Sequence, residues 1–183
     1  MKDELEMQLE RDFPFMKQNR SDNEKSIYKK WGCECGSGWY NLIHDLCQEI
    51  TDRYERDNLP VDIVILQVKE KFAVLRFYYE YENAPCPLQA FDFIGNGTIR
   101  FTPDNDKEDN TVKKLRKDIA EIVRRYEEKS SSVCEVCGNS GKVRNDMPWI
   151  RTLCQNCYDK YIKKSEESKR KPKDSISKYI DNK

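Results

Sequence analysis

Cys134 and Cys137 form one pair and Cys154 and Cys157 a second, with two residues inside each pair and sixteen between them. Four cysteines at that spacing can close around one ion, and the C-x2-C…C-x2-C pattern is that of a structural zinc site. Four thiolates fill the tetrahedral shell zinc prefers and leave no position for an activated water. The expectation is therefore one structural Zn2+ per chain, holding the fold and doing no chemistry. Gly138 follows the first pair, where a zinc knuckle turns. GKVRND and PWIRTL read as short strands around a turn, and the second pair opens CQNCYDKYIKKSEESKR, which has helical character. Knuckle, hairpin, then a ligand pair at a helix start is the order of a treble-clef or zinc-ribbon-like module, closer to the treble clef. A helix start also favours thiolate over thiol.

The remaining chain predicts an α+β core. Trp39, Ile43, Leu46, Cys47, Ile50 and Tyr54 recur at helical steps, with Ser37 as the expected cap and Asn58 and Pro60 as the stop. VDIVILQVKEKFAVLRFYYEYE reads as two strands joined by a tight turn. On the second, Leu75, Phe77, Tyr79 and Tyr81 alternate with Val74, Arg76, Tyr78 and Glu80. With a further short strand at TIRFT, the sheet is expected to be an antiparallel meander; residues 83–97 are expected to be a long connection. A second long helix carries Val112, Leu115, Ile119, Ile122, Val123 and Tyr126 on one stripe. A short helix over 3–11 ends before Pro14, and 17–26 is a loop or weak helix. The organisation is thus a core over 1–130, a zinc module over 131–168 entered through a serine hinge at 130–132, and a basic, disordered tail over 169–183.

Composition narrows the functions. Lys plus Arg and Asp plus Glu each number 33, so no overall positive field draws the chain to nucleic acid. His44 is the single histidine, which starves any Ser-His-Asp or Cys-His arrangement, and no carboxylates stand in a catalytic spacing. GCECGSG lacks the lysine of a phosphate-binding loop. The chain is expected not to be an enzyme. The first residues are acidic and amphipathic where a secretory signal is basic then apolar, and no apolar run spans a bilayer, so a cytoplasmic protein with reduced cysteines is expected.

Three weaker constellations remain. Cys33, Cys35, His44 and Cys47 offer a second metal site, since His44 and Cys47 are one helical turn apart; against it, Cys47 falls in an apolar stripe where a free cysteine acts as a small hydrophobe. Lys69, Lys71 and Arg76 lie among aromatic residues at the hairpin, a mixture that can hold an anion or a nucleic acid by phosphate contact and stacking. The stretch 162–173, including Lys163, Lys164, Lys169, Arg170 and Lys171, carries six basic and two acidic residues and is the other candidate for such a contact. Cys86 belongs to no pattern.

WGCECGSGWYNLIHDLC, QVKEKFAVLRFYY and CEVCGNSGKV…PWIRTLC resemble segments of small proteins carried widely by bacteriophages and prophages, in the same order and at similar separations. Ala73 stands where that family usually has glycine. The resemblance implies an accessory protein acting in the cytoplasm of a bacterial host by binding and inhibiting a host protein, for example an anti-phage defence effector such as a CRISPR nuclease complex. The alternative reading is a nucleic-acid or nucleotide-binding zinc protein.

Overall fold

The helix predicted from Trp39 to Tyr54 forms because one side of it is continuously apolar. It runs Tyr40–Arg56 (α3), and Leu42, Ile43, Leu46, Cys47, Ile50 and Tyr54 are all buried. Its entry is a 3₁₀ turn at Ser37–Trp39; Ser37 does not cap it, its hydroxyl accepting instead from the Lys2 N–H at 3.1 Å. The structure is a computed structural model and describes residues 1–19, 26–82, 89–93, 97–101 and 109–170. Ahead of α3 lie α1 (Asp3–Asp12), a 3₁₀ turn at Pro14–Met16, α2 (Ile27–Trp31) capped by the Ser26 hydroxyl, and β1 (Cys33–Glu34).

β2 (Ile63–Lys71) and β3 (Val74–Tyr81) make the expected hairpin, and Leu75, Phe77, Tyr79 and Tyr81 all turn inward. Its two-residue turn puts Phe72 and Ala73 at φ 54° and 64°, the left-handed pair that a type I′ turn demands. Two bonds hold Ala73 there: its N–H donates to Glu70 Oε1 at 2.6 Å, and its carbonyl accepts from the Thr152 hydroxyl at 2.7 Å.

The antiparallel meander is not what forms. The sheet order is β1-β2-β3, and β1 joins β2 in parallel through Cys33 opposite Val68 and Glu34 opposite Lys69. The residues of TIRFT up to Phe101 belong to β5 (Gly97–Phe101), Thr102 lying outside the described residues; β5 pairs with β4 (Gln89–Phe93), inside the stretch expected to be a connection, as a separate hairpin. The reason lies on the outer edge of β3. Helix α4 (Asn110–Ser130) lies along it, and the Leu75 and Phe77 N–H groups donate to Ser130 Oγ and Glu127 Oε1, both at 2.8 Å. With its donors taken by buried helix side chains, that edge has no place for a next strand.

Between α3, α4 and the sheet, Leu115, Ile119, Ile122, Val123 and Tyr126 complete the core. Arg116 crosses it to grip Asp62 with two bonds of 2.6 and 2.5 Å, while Tyr54 donates to the same carboxylate at 2.6 Å. No described helix is long and apolar enough to cross a membrane.

Candidate metal centre

The serines at 130–132 end α4 and lead into the cysteine module. Ser130 is buried between α4 and β3, and Ser131 and Ser132 close the helix by donating to the Glu128 and Lys129 carbonyls. The chain then enters the first cysteine pair at once. Cys134 N–H bonds the Asn139 carbonyl, Gly138 N–H bonds the Cys134 carbonyl, and Gly138 takes φ 79°, as a knuckle requires. β6 (Lys142–Arg144) and β7 (Arg151–Leu153) follow as an antiparallel hairpin, and α5 (Gln155–Arg170) starts immediately after Cys154. Arg144 braces this unit, donating to Gln155 Oε1 at 3.0 Å and stacking on the Tyr158 ring.

That path brings Cys134, Cys137, Cys154 and Cys157 together with all four sulfurs within 4.8 Å of one another. Cys137 and Cys154 have their sulfurs 3.6 Å apart. A tetrahedral ion with metal–sulfur bonds of about 2.3 Å separates its ligands by about 3.8 Å, so the donor set fits a tetrathiolate metal. Cys134 is buried, Cys137 exposed and the other two half-buried. Burial acts to raise the Cys134 pKa, but backbone N–H groups of Cys154, Cys137 and Val136 turned onto its sulfur outweigh it and bring the value down to about 7. Cys157 is pushed up, first by burial and then by hydrogen bonds to the other three sulfurs. One sulfur is thus ready to ionise, while the next must do so beside an existing negative charge, a repulsion that a bound cation removes.

The knuckle is also bolted to the core by a residue that sequence reasoning passed over. Glu135, between the first two cysteines, is 6% exposed. Its Oε1 accepts from Gly36 N–H at 3.1 Å, its Oε2 from Arg151 Nε at 3.1 Å, and its backbone carbonyl from Gly38 N–H at 2.8 Å. Trp39 adds a bond from its indole N–H to the Val133 carbonyl at 2.8 Å. A Cβ at Gly36 would strike the Glu135 carbonyl, and one at Gly38 the Cys134 carbonyl. The signal was present as Gly-Ser-Gly ahead of a tryptophan, two glycines flanking one residue, which marks a close approach of two backbones.

The other expected sites fare differently. Cys33, Cys35, His44 and Cys47 do not converge: among the described residues the four-cysteine group is the only cluster of three or more metal-binding side chains. Burial holds the Cys33 and Cys47 thiols far up and takes Cys35 to about 12, so they behave as packing residues. His44 lies 3.5 Å from Asp12 and packs edge-on against Phe13. Lys69 bonds Gln67 Oε1 and sits over the Tyr78 ring, and Lys71 sits over Phe72. Arg76 does not join them as a surface anion contact, because it is fully buried and donates to the Leu75 carbonyl. Lys163 and Lys164 are exposed on α5, Lys169 and Arg170 close that helix, and Lys171, like Cys86 and the rest of the tail, lies outside the described residues.

Comparison with protein-family models, with curated proteins and with solved structures finds no match. Large apolar side chains are exposed on the module and on the turn it touches: Trp149 is 65% exposed, Ile150 and Val136 are exposed in the same module, and Phe72, 37% exposed, precedes the Ala73 that Thr152 holds. Trp149 is aimed, its indole N–H donating to Glu70 Oε2 at 3.2 Å across the junction of module and sheet.

Proposed function

We propose that this is a non-enzymatic accessory protein of bacteriophage type that binds and inhibits a host protein in the bacterial cytoplasm, the partner class being an anti-phage defence effector such as a CRISPR nuclease complex. One zinc per chain is its structural cofactor, held by Cys134, Cys137, Cys154 and Cys157 in a treble-clef-like module. The reading is carried by one juxtaposition: the module that gathers the four thiols also carries Trp149, a large side chain left in solvent yet tied to Glu70, and docks through Thr152 on the turn that exposes Phe72. Tryptophan anchors of this kind dominate protein interfaces. The phage and defence assignments draw on the resemblance of the three sequence segments.

The test is affinity purification from infected host cells after nuclease treatment. The wild-type chain retains a stoichiometric protein partner, and Trp149→Ala, at a position whose side chain is mostly in water, loses it while keeping its zinc. Recovery of no partner from several hosts overturns the reading. Protein purified without chelator carries about one zinc per chain, and finding none removes the cofactor. The nucleic-acid alternative draws on Lys69 over Tyr78 and Lys71 over Phe72. It requires an affinity that falls steeply with salt and drops on charge reversal at Lys163 and Lys164.

A further inference from the structure

β2 is nine residues long, but β1 covers its outer side only at Val68 and Lys69. Ile63, Val64 and Ile65 have β3 on one side and, among the described residues, no strand on the other. The direction of their backbone groups follows from the ladder. Glu82 N–H donates to the Asp62 carbonyl at 2.8 Å, so Asp62 faces β3. In an antiparallel pair facing alternates residue by residue, so Val64, opposite Glu80, faces β3 as well, and Ile63 and Ile65 turn their N–H and C=O outward. The partner strand agrees. Tyr81 and Tyr79, opposite Ile63 and Ile65, share the parity of Phe77 and Leu75, whose N–H groups point away from β2 to Glu127 and Ser130. On β3 the helix α4 has taken those outward groups; on β2 no described backbone or side chain takes them.

They open into a groove of about 320 Å³ between the sheet edge and the turn at Pro14–Met16. Phe15 and the buried Tyr28 contribute its apolar wall, and Lys17 and Lys29 stand at its rim, exposed and in no salt bridge among the described residues. Among the described residues lining it, Glu82 is the one acidic side chain, against Lys17 and Lys29. Three extended residues cover about 10 Å, the length of edge from Ile63 to Ile65 and its flanks.

We propose that this groove takes an extended acidic segment of a partner protein as an added strand, paired to the N–H and C=O of Ile63 and Ile65, with its carboxylates at Lys17 and Lys29 and its apolar side chains on Phe15 and Tyr28. The main chain of the edge supplies affinity and the two lysines supply charge selection. The proposal rests on the reading of the chain as a protein-binding module and names a second contact surface for it, on the opposite edge of the sheet from α4.

Backbone amide exchange and chemical shifts of the full-length, metal-loaded chain test it, with two capped heptapeptides as probes, one alternating valine with glutamate and one alternating valine with lysine. In the free protein the Ile63 and Ile65 amides exchange at least tenfold faster than the Val64 amide. The glutamate peptide shifts both and slows their exchange at least tenfold, and the lysine peptide does neither. The double variant Lys17→Glu, Lys29→Glu, confined to exposed side chains, weakens the glutamate peptide at least tenfold with an unchanged spectrum elsewhere. Protection of Ile63 and Ile65 equal to that of Val64 in the free protein overturns the proposal, as does equal binding of the two peptides or a shift confined to another face. A double variant that captures a host partner as well as the wild type sinks the groove and spares the protein-binding reading. A wild type that captures none, with the glutamate peptide bound at Ile63 and Ile65, does the reverse.

Discussion

Replacing Glu135 with glutamine, with the metal in place, asks whether the cysteine module and the sheet are one cooperative unit. The carboxylate accepts from Gly36 N–H on one oxygen and from Arg151 Nε on the other. The amide keeps a single acceptor, so one of those donors must face an NH2 group. Losing a charge-assisted bond at a buried site and leaving its donor unmatched costs about 2–3 kcal/mol. Arg151 is 28% exposed and water can reach it, which places the expected cost near the lower end, about 2 kcal/mol. For a chain of this size each kcal/mol moves the melting midpoint by about 2–4 °C, so the variant should melt about 4–8 °C lower.

The decisive feature is which parts melt together. Far-UV circular dichroism follows α3 and α4, and the thiolate absorption of cobalt(II), loaded at the four cysteines, follows that cluster. Both should shift by the same amount and show one transition, because the lost bond ties Gly36, ahead of α3, to the knuckle. Glu128→Gln is the control: Glu128 is 62% exposed and pairs with Arg124 on the surface, and its replacement should leave the midpoint unmoved. A cobalt band lost early over an unshifted dichroism curve would refute the reasoning and make the module an appendage.

Three further outcomes follow from the fold. Burial raises Asp62, but the Arg116 and Tyr54 hydrogen bonds outweigh it and hold the carboxyl below its ordinary value; a depressed folded pKa gives stability that is present above the unfolded value near pH 4 and lost as pH falls through the folded one. Arg116→Met should therefore flatten the acid limb of a stability–pH profile measured by urea denaturation, and an unchanged limb would count against it. Phe72→Asn, at an exposed turn position with φ 54°, should stabilise by about 0.5–1 kcal/mol in the same assay by relieving left-handed strain; destabilisation would show that the ring packs more than its exposure implies. Ser130→Ala strands the buried Leu75 N–H and should cost about 1–3 kcal/mol, read as faster exchange of that amide; full protection would show another acceptor.

How much of this was legible in sequence depended on how local the determinant is. Helix α3, helix α4 and the β2–β3 hairpin announce themselves because burial repeats along one chain segment, and each residue of the stripe reports the same environment. The four-cysteine cluster is legible for a related reason: chelation of one ion would fix the spacing inside each pair. What sequence did not carry is which edge of the sheet is closed and by what. Glu127 reads as one more acidic residue in RRYEEK, and nothing in that string separates it from the solvent-facing Glu128. Only the crossing of α4 over β3 turns Glu127 toward the Phe77 N–H and makes it an edge cap. β1 escaped for the same reason, since two residues hold no periodicity and their pairing is decided by Val68 and Lys69, more than thirty positions away.

Glu135 shows what a metal held by the four cysteines would do in this arrangement. A ligand that binds only the folded form stabilises it by mass action, about 4 kcal/mol when free metal stands a thousandfold above its dissociation constant. In a module joined by a loose linker that energy would stop at the module. Here the Glu135 carboxylate holds Gly36, the Glu135 and Val133 carbonyls hold Gly38 and Trp39, and Thr152 holds the strained Ala73 turn. The effect of a bound metal would thereby pass to the tip of the hairpin, where Phe72 stands in solvent and Trp149 reaches Glu70. Stripping the metal should cost the chain those two side chains' fixed positions before it costs α3 or α4 their helices, so loss of partner capture should precede loss of helical signal as chelator is titrated in. The opposite order would mean that recognition lies on the sheet edge at Ile63 and Ile65, remote from the cysteines.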